Sequence, residues 1–195
     1  MNGLKKLKEN VQAFPRNGNF QGDNLSKDTI ILGGGCFWCI EALFKESDGV
    51  LKIVSGYSGG YTENPTYQEI CTGKTGHSEV CEIEYDKNKV DLESILNFFW
   101  RIHNPTTLNR QGNDVGTQYR SIVLYKNEKE RNTALKIKLE IEELKIYKEK
   151  LVTEIKQLDK FYTAEDYHQN YYYNNTDAPY CLFVIKPKLL KLKKN

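Results

Sequence analysis

The sequence predicts a compact α/β or α+β domain built around one sheet. Short apolar runs of strand type alternate with segments of helical spacing along the chain. The length of 195 residues suits one domain with a substantial core. Near the start, Ile30-Ile31-Leu32 runs into Gly33-Gly34-Gly35 and then into helical spacing, a strand–turn–helix junction.

Residues 1–27 are polar, with Gly18, Gly22 and several Asn and Gln, and read as an N-terminal extension; residues 28–190 form the domain and 191–195 a basic tail. Thr29–Leu32 is predicted as a strand, Cys36–Lys45 as a helix and Val50–Gly56 as a second strand. Gly56 to Pro65 is loop, with Ser58-Gly59-Gly60 as its turn signal, and Tyr67–Cys71 is one helical turn. Glu79–Tyr85 alternates and reads as a strand. Asp91 is the N-cap expected for a helix over Leu92–His103. A long polar loop over His103–Gly116 leads to a strand at Ser121–Tyr125. The Lys/Glu-rich stretch Lys126–Lys150 is expected as a solvated amphipathic helix with Leu135, Ile137, Leu139 and Leu144 apolar. Ala164–Tyr173 is predicted helical and Cys181–Ile185 a strand. The two long loops carry Gly, Tyr, Asn and acidic residues, a composition suited to walling a site.

The chain is 39% hydrophobic and 28% charged with a net charge of +2, which argues against a nucleic-acid partner. The cations gather at the ends, in Lys5, Lys6 and Lys8 and in Lys186, Lys188, Lys191, Lys193 and Lys194, as solvated tails. No apolar run is long enough to span a bilayer, and no apolar segment follows the first lysines to make a secretory signal. Five cysteines without such a signal point to reduced or catalytic thiols rather than a disulfide framework, and to the cytoplasm.

Cys36 carries the strongest case for chemistry. A thiol at a helix N-terminus meets unpaired N–H groups and the positive end of the helix dipole, which can lower its pKa from about 8.5 into the range of roughly 3.5–7.5. Phe37 and Trp38 are either plain core residues or the wall of an apolar pocket beside the sulfur. Cys39 completes a C-x-x-C pair, a spacing that suits a reversible disulfide or, with Cys71, His77 and Cys81, a zinc site. The chain holds only three histidines, and the second group of candidate ligands is not a tight pair, which weakens the zinc reading. Glu79 opens an apolar strand: it is either a solvated edge residue or, facing an apolar pocket, a carboxyl with a raised pKa able to donate a proton. Asp114, Tyr119 and Tyr67 supply a further carboxylate and two phenols close to predicted strand and helix starts.

Taken together, GGGCFWC, GYSGGYTENPTY, TGHSE, NPTTLNRQGNDVGTQYRS and FYTAEDYHQNYY resemble, in order, the peptide methionine sulfoxide reductases of the A type. They span Gly33 to about Tyr173. The resemblance implies a mixed-sheet α/β (α+β) domain with a ferredoxin-like core flanked by helices. It implies reduction of the S-epimer of methionine sulfoxide, free or in oxidised proteins, with Cys36 as nucleophile and Glu79 as proton donor. Tyr67 and Tyr119 would hold the oxygen, Asp114 would order a polar subsite, and Phe37 and Trp38 would hold the S-methyl group. Cys36 would become a sulfenic acid, a second thiol would convert it to a disulfide, and thioredoxin would reduce that disulfide. No metal or organic cofactor is implied, and a monomer without membrane or nucleic-acid partners is expected.

The C-terminus departs from the family pattern. Relatives with a glycine-rich tail carry the resolving cysteine there, whereas this chain has Asp177-Ala178-Pro179-Tyr180-Cys181-Leu182-Phe183-Val184-Ile185, apolar and without glycine. Cys39 and Cys181 are both candidates for the resolving thiol, while Cys71 and Cys81 read as structural. Two rival functions remain at this level: a thioredoxin-like disulfide oxidoreductase using Cys36 and Cys39 without Glu79, and a zinc-binding interaction module.

Overall fold

A computed structural model describes residues 26–193. The first 25 residues of the predicted extension, with Lys5, Lys6 and Lys8, lie outside the described residues, as do residues 194–195. Eight strands are described: β1 (Lys27–Gly33), β2 (Val50–Ser58), β3 (Ser78–Asp86), β4 (Arg110–Gln111), β5 (Asp114–Val115), β6 (Ile122–Tyr125), β7 (Glu154–Gln157) and β8 (Phe161–Thr163). The helices are α1 (Phe37–Lys45), α2 (Tyr67–Cys71), α3 (Leu92–Ile102), α4 (Glu128–Glu143), α5 (Tyr171–Asn174) and α6 (Lys186–Lys193), with single 3-10 turns at Thr117–Tyr119 and Asp166–His168. No helix among the described residues is long and apolar enough to cross a membrane.

Six strands form one mixed sheet in the order β7-β6-β1-β3-β2-β8, and β4 and β5 pair as a separate short hairpin. Every pairing in the large sheet is antiparallel except β6 with β7. Side-chain alternation sorts the two faces. Ile30 and Leu32 of β1 lie opposite Ile83 and Cys81 of β3 and join the main core with α1, α3 and α4. Ile31, Val80, Ile122 and Leu124 face the other way into a smaller cluster closed by Leu158 and Phe161. Helix α1 is buried almost all round, through Phe37, Cys39, Ile40, Ala42, Leu43 and Phe44, as expected of a helix packed deep in a core.

The caps are readable locally. The Asp91 side chain accepts from Ser94 N at 2.7 Å and starts α3, and Asn127 accepts from Glu130 N at 3.0 Å and starts α4. Four expectations need correction. In α4 the buried stripe is Ala134, Ile137 and Ile141, three and four residues apart on one face, while Leu135 and Leu139 point away from it and are exposed. Ala164–Tyr173 is not one helix: the Gln169 amide accepts from Ser55 N at 3.0 Å and donates to Ser55 O at 2.9 Å, acting as a strand residue beyond β8. The chain then turns through Asn170 at φ 55° before α5. Cys181–Ile185 is a π-helical turn leading into α6, not a strand. Its buried residues, Cys181 and Ile185, are four apart and continue to Leu189 and Leu192, a helical spacing, while Phe183 is 79% exposed. Pro187 lacks a donor and crowds the turn before it, which the wider π turn accommodates. The predicted tail is not separate either, since Lys191–Lys193 belong to α6. The edge strands β7 and β8 carry no clear alternation over their three or four residues and went without a sequence signal.

Candidate active site

The site forms where β1 ends and β3 begins. Gly33 allows the two strands to meet there: a Cβ on it would come 2.7 Å from Glu79 O. Gly35 turns the chain at φ 94°, a conformation that favours glycine, and a Cβ there would strike Gln111. Cys36 is therefore delivered as the N-cap of α1, with its side chain left free of the capping role and 8% exposed.

Glu79 is 2% exposed and shares the core-facing side of β3 with Cys81, Ile83 and Tyr85. It is not a solvated edge residue. Its Oε2 accepts from Phe37 N at 3.1 Å, and the carboxyl and the Cys36 thiol influence each other's ionisation. Burial pushes its pKa up to about 8, aided by the charge of Asp114 and opposed by the Phe37 N–H and the thiol. At neutral pH the carboxyl is protonated.

The expectation of a lowered Cys36 pKa does not hold for these residues alone. Burial raises it well above the usual thiol range, followed by the charges of Glu79 and Cys39, and the Trp38 N–H and the Tyr180 hydroxyl offset only part of this. A helix terminus is worth roughly 1 kcal/mol, whereas burial of a charge costs more. The resting pair is thus a thiol beside a carboxylic acid.

Around this pair stand the other predicted residues. Burial pushes the phenols of Tyr119 and Tyr67 up, so both stay neutral, and both are electrostatically coupled to Glu79. The Asp114 carboxylate, on β5, accepts from the Tyr180 hydroxyl at 2.7 Å. Phe37 is 1% exposed, and Trp38 is half-buried beside it with ring centres 6.3 Å apart.

Several site residues carried no role in the sequence reading. Trp38 stacks on Tyr171 at 3.6 Å and 5°, and its Nε1–H donates to His168 Nδ1 at 3.2 Å. The Tyr67 ring meets His168 edge-on at 4.4 Å. Glu165 accepts from Tyr67 N and from the Tyr57 hydroxyl, both at 2.8 Å, and so joins β2, α2 and the chain after β8. Glu41, buried on α1, accepts from Asn170 N at 2.6 Å and Tyr171 N at 3.2 Å and places the Tyr171 ring. Tyr180 lies edge-on to Trp38 at 5.7 Å. FYTAEDYHQNYY held most of these residues in plain view, but only the fold says which of its tyrosines reach Trp38.

The cysteines separate. Cys36 and Cys39 interact, and so do Cys39 and Cys181. Cys39 Sγ is 3.7 Å from the Tyr180 hydroxyl. Cys81 is fully buried with its sulfur toward Phe37 O, and Cys71 is exposed on α2 beside Tyr67. The zinc reading finds no support, since His77 uses both ring nitrogens, with Thr62 O and with Gly60 N. No group of three His, Cys, Asp or Glu side chains among the described residues is arranged to hold a metal ion.

Residues 28–195 match the model of the peptide methionine sulfoxide reductase family. A protein named peptide methionine sulfoxide reductase MsrA from Nautilia profundicola is 54% identical over 84% of this chain and 93% of its own. Among solved structures, methionine sulfoxide reductase A of Corynebacterium diphtheriae is 34% identical with a TM-score of 0.69, covering 85% of this chain and 84% of that one. Reduced Mxr1 from Saccharomyces cerevisiae is 31% identical with a TM-score of 0.75, covering 85% and 94%. Mxr1 in complex with Trx2, 23% identical with a TM-score of 0.54 over 80% and 91%, shares the fold. With a family model spanning the whole domain and a relative identical at more than half of the aligned positions, this chain belongs to the peptide methionine sulfoxide reductases.

Proposed function

We propose that this chain reduces the S-epimer of methionine sulfoxide with Cys36 as nucleophile and Glu79 as proton donor. One observation carries the assignment: a Glu79 carboxyl buried beside Cys36 at the start of α1, held by Phe37 N–H at 3.1 Å, in surroundings that raise its pKa and favour the protonated form. The sulfoxide oxygen is a poor leaving group unless protonated, and Glu79 offers its proton beside the attacking sulfur. The electropositive sulfur of a bound sulfoxide supplies the positive charge that these residues lack, and so favours the Cys36 thiolate as substrate enters. Tyr67 and Tyr119, neutral phenols, donate to the oxygen as charge builds on it. Phe37 and Trp38 hold the methyl group, with Trp38 fixed by Tyr171 and His168, and Asp114 orders the polar side through Tyr180.

The oxygen moves from substrate sulfur to Cys36 sulfur. The sulfoxide gains two electrons and leaves as methionine, and Cys36 becomes a sulfenic acid. Cys39 then forms a disulfide with Cys36, and water leaves. Cys39 is favoured over Cys181 because it lies one helical turn from Cys36 and interacts with it, whereas Cys181 interacts with Cys39. A dithiol protein of the thioredoxin type restores both thiols, in keeping with the Trx2 complex of the yeast neighbour.

The test is one turnover on N-acetyl-methionine sulfoxide without reductant, followed by peptide mapping. The expected result is about one methionine per chain and a Cys36–Cys39 disulfide. In Cys39→Ser the methionine still forms once and Cys36 remains as a trappable sulfenic acid. A Cys39→Ser protein that forms no methionine would favour the simple disulfide oxidoreductase instead.

A further inference from the structure

Arg120 touches no reacting group in the site described above, yet it is buried where three segments of that site meet. It is 7% exposed. Its Nη1 donates to Thr117 O at 2.9 Å, its Nη2 to Gly76 O at 3.0 Å and to Gly59 O at 3.4 Å, and its Nε to the Glu154 carboxylate at 3.3 Å. The three carbonyls come from separate parts of the chain. Thr117 opens the 3-10 turn that carries Tyr119. Gly76 lies three residues before Glu79, in the turn that enters β3. Gly59 follows β2 in the loop that leads to Tyr67.

The two shortest of these bonds join the Tyr119 turn to the turn before Glu79. Side chains at the same seam add to them: Ser78 Oγ donates to Gln118 O at 2.9 Å, and Thr117 Oγ1 to Gly73 O at 3.3 Å. The Gly59 loop has other ties to the Gly76 turn, since Tyr61 N donates to Thr75 O and Gly60 N to His77 Nδ1, both at 3.1 Å. Lys156 Nζ also reaches Gly59 O, at 3.5 Å. Tyr67 is anchored separately, its N–H donating to Glu165 at 2.8 Å. The guanidinium therefore bears most directly on where the Tyr119 phenol stands relative to the Glu79 carboxyl.

We propose that Arg120 is a positioning residue for sulfoxide reduction: it holds the Tyr119 hydroxyl and the Glu79 carboxyl at the spacing that lets both meet one sulfoxide oxygen. The inference rests on the roles given above to Tyr119 and Glu79. Three backbone carbonyls cannot bind one another, and they converge only on a donor whose N–H groups point in separate, fixed directions. The planar guanidinium fork does this, whereas a lysine ammonium is a point charge on a flexible stem. A misplacement of about 1 Å at a reacting group costs roughly 10²-fold in rate. The methyl side of the pocket is spared, because Phe37 and Trp38 belong to α1, which none of these bonds reaches.

The experiment compares the parent with Arg120→Lys, which keeps the charge, and Arg120→Gln, which keeps a planar donor. Each is also combined with Tyr119→Phe. Initial rates on N-acetyl-methionine sulfoxide are taken well below each melting temperature, on protein with the parent's circular dichroism, and either variant that folds suffices. The rate of methionine release at saturation should fall by about 10–100-fold, with KM within about threefold of the parent. In the parent, Tyr119→Phe should cost about 10²-fold by removing a donor to the oxygen. In the Arg120 variants the same change should cost at least about tenfold less, because the phenol is already out of place. A residue that only stabilised the fold would leave the rate of folded protein unchanged. Folded Arg120 variants at the parent rate, or losses that simply multiply with that of Tyr119→Phe, overturn the positioning role alone. A Tyr119→Phe protein at the parent rate overturns the role of Tyr119 in the proposed function, and this inference with it.

Discussion

Replacing Glu79 by Gln should slow the chemistry and strengthen the fold, and both effects follow from one buried proton. Gln keeps the oxygen that accepts from Phe37 N, so the turn into α1 is preserved, but it cannot give a proton to the sulfoxide. Loss of a general acid costs about 10²–10⁴-fold in the step it serves. The stability effect has the opposite sign. The folded-state pKa of Glu79 is about 8 against an ordinary 4.5, so the folded state binds more protons than the unfolded state between those values. Stability is lost as pH rises from about 4.5 to 8, and at pH 7 the penalty is on the order of 3 kcal/mol. Glu79→Gln removes it, so its melting temperature should exceed the parent's by about 5–10 °C at pH 7 and by much less at pH 5. Methionine release in single turnovers gives the first effect and thermal unfolding across pH the second. In the parent, the release rate should also fall above about pH 8 as the carboxyl ionises, and in Glu79→Gln that dependence should vanish. A variant within a few-fold of the parent rate, or one whose stability advantage over the parent is no larger at pH 7 than at pH 5, refutes the buried proton.

Cys36→Ser should show no methionine release above background, since a hydroxyl is a far weaker nucleophile than a thiolate; mass spectrometry of the product would expose any residual turnover. With the methyl group and the oxygen anchored by different walls, chiral chromatography of residual substrate should show only the S-sulfoxide consumed, and equal loss of both epimers would contradict the pocket. Tyr171→Ala removes the ring stacked at 3.6 Å on Trp38, so the substrate KM should rise by about 2–10-fold with a smaller change in kcat. Saturation kinetics that leave KM unchanged would show that Trp38 needs no such support.

Much of the site was legible because its signals are local. The apolar run, the glycines and the helical spacing after Cys36 sit in one short stretch, and strand alternation and the cap at Asp91 depend on near neighbours. Even the orientation of Glu79 was present in the chain, since it shares the parity of Cys81, Ile83 and Tyr85, the core face of β3. Parity says which side a residue faces and not how deep it lies, so its pKa of about 8 waited for Asp114 and α1 to be packed over it.

The sequence alone determined the order of the main elements, the strand–turn–helix that delivers Cys36, and the set of residue types a sulfoxide reductase needs. Tertiary structure decided what depends on neighbours distant in the chain. Burial overrode the helix terminus and left Cys36 a thiol, pairing with Ser55 spent Gln169 as a strand residue, and packing on α1 drew Cys181–Ile185 into a helical path that brings Tyr180 to Cys39. Desolvation and long-range hydrogen bonds are sums over atoms that the chain brings together only when it folds, and no window of sequence contains them.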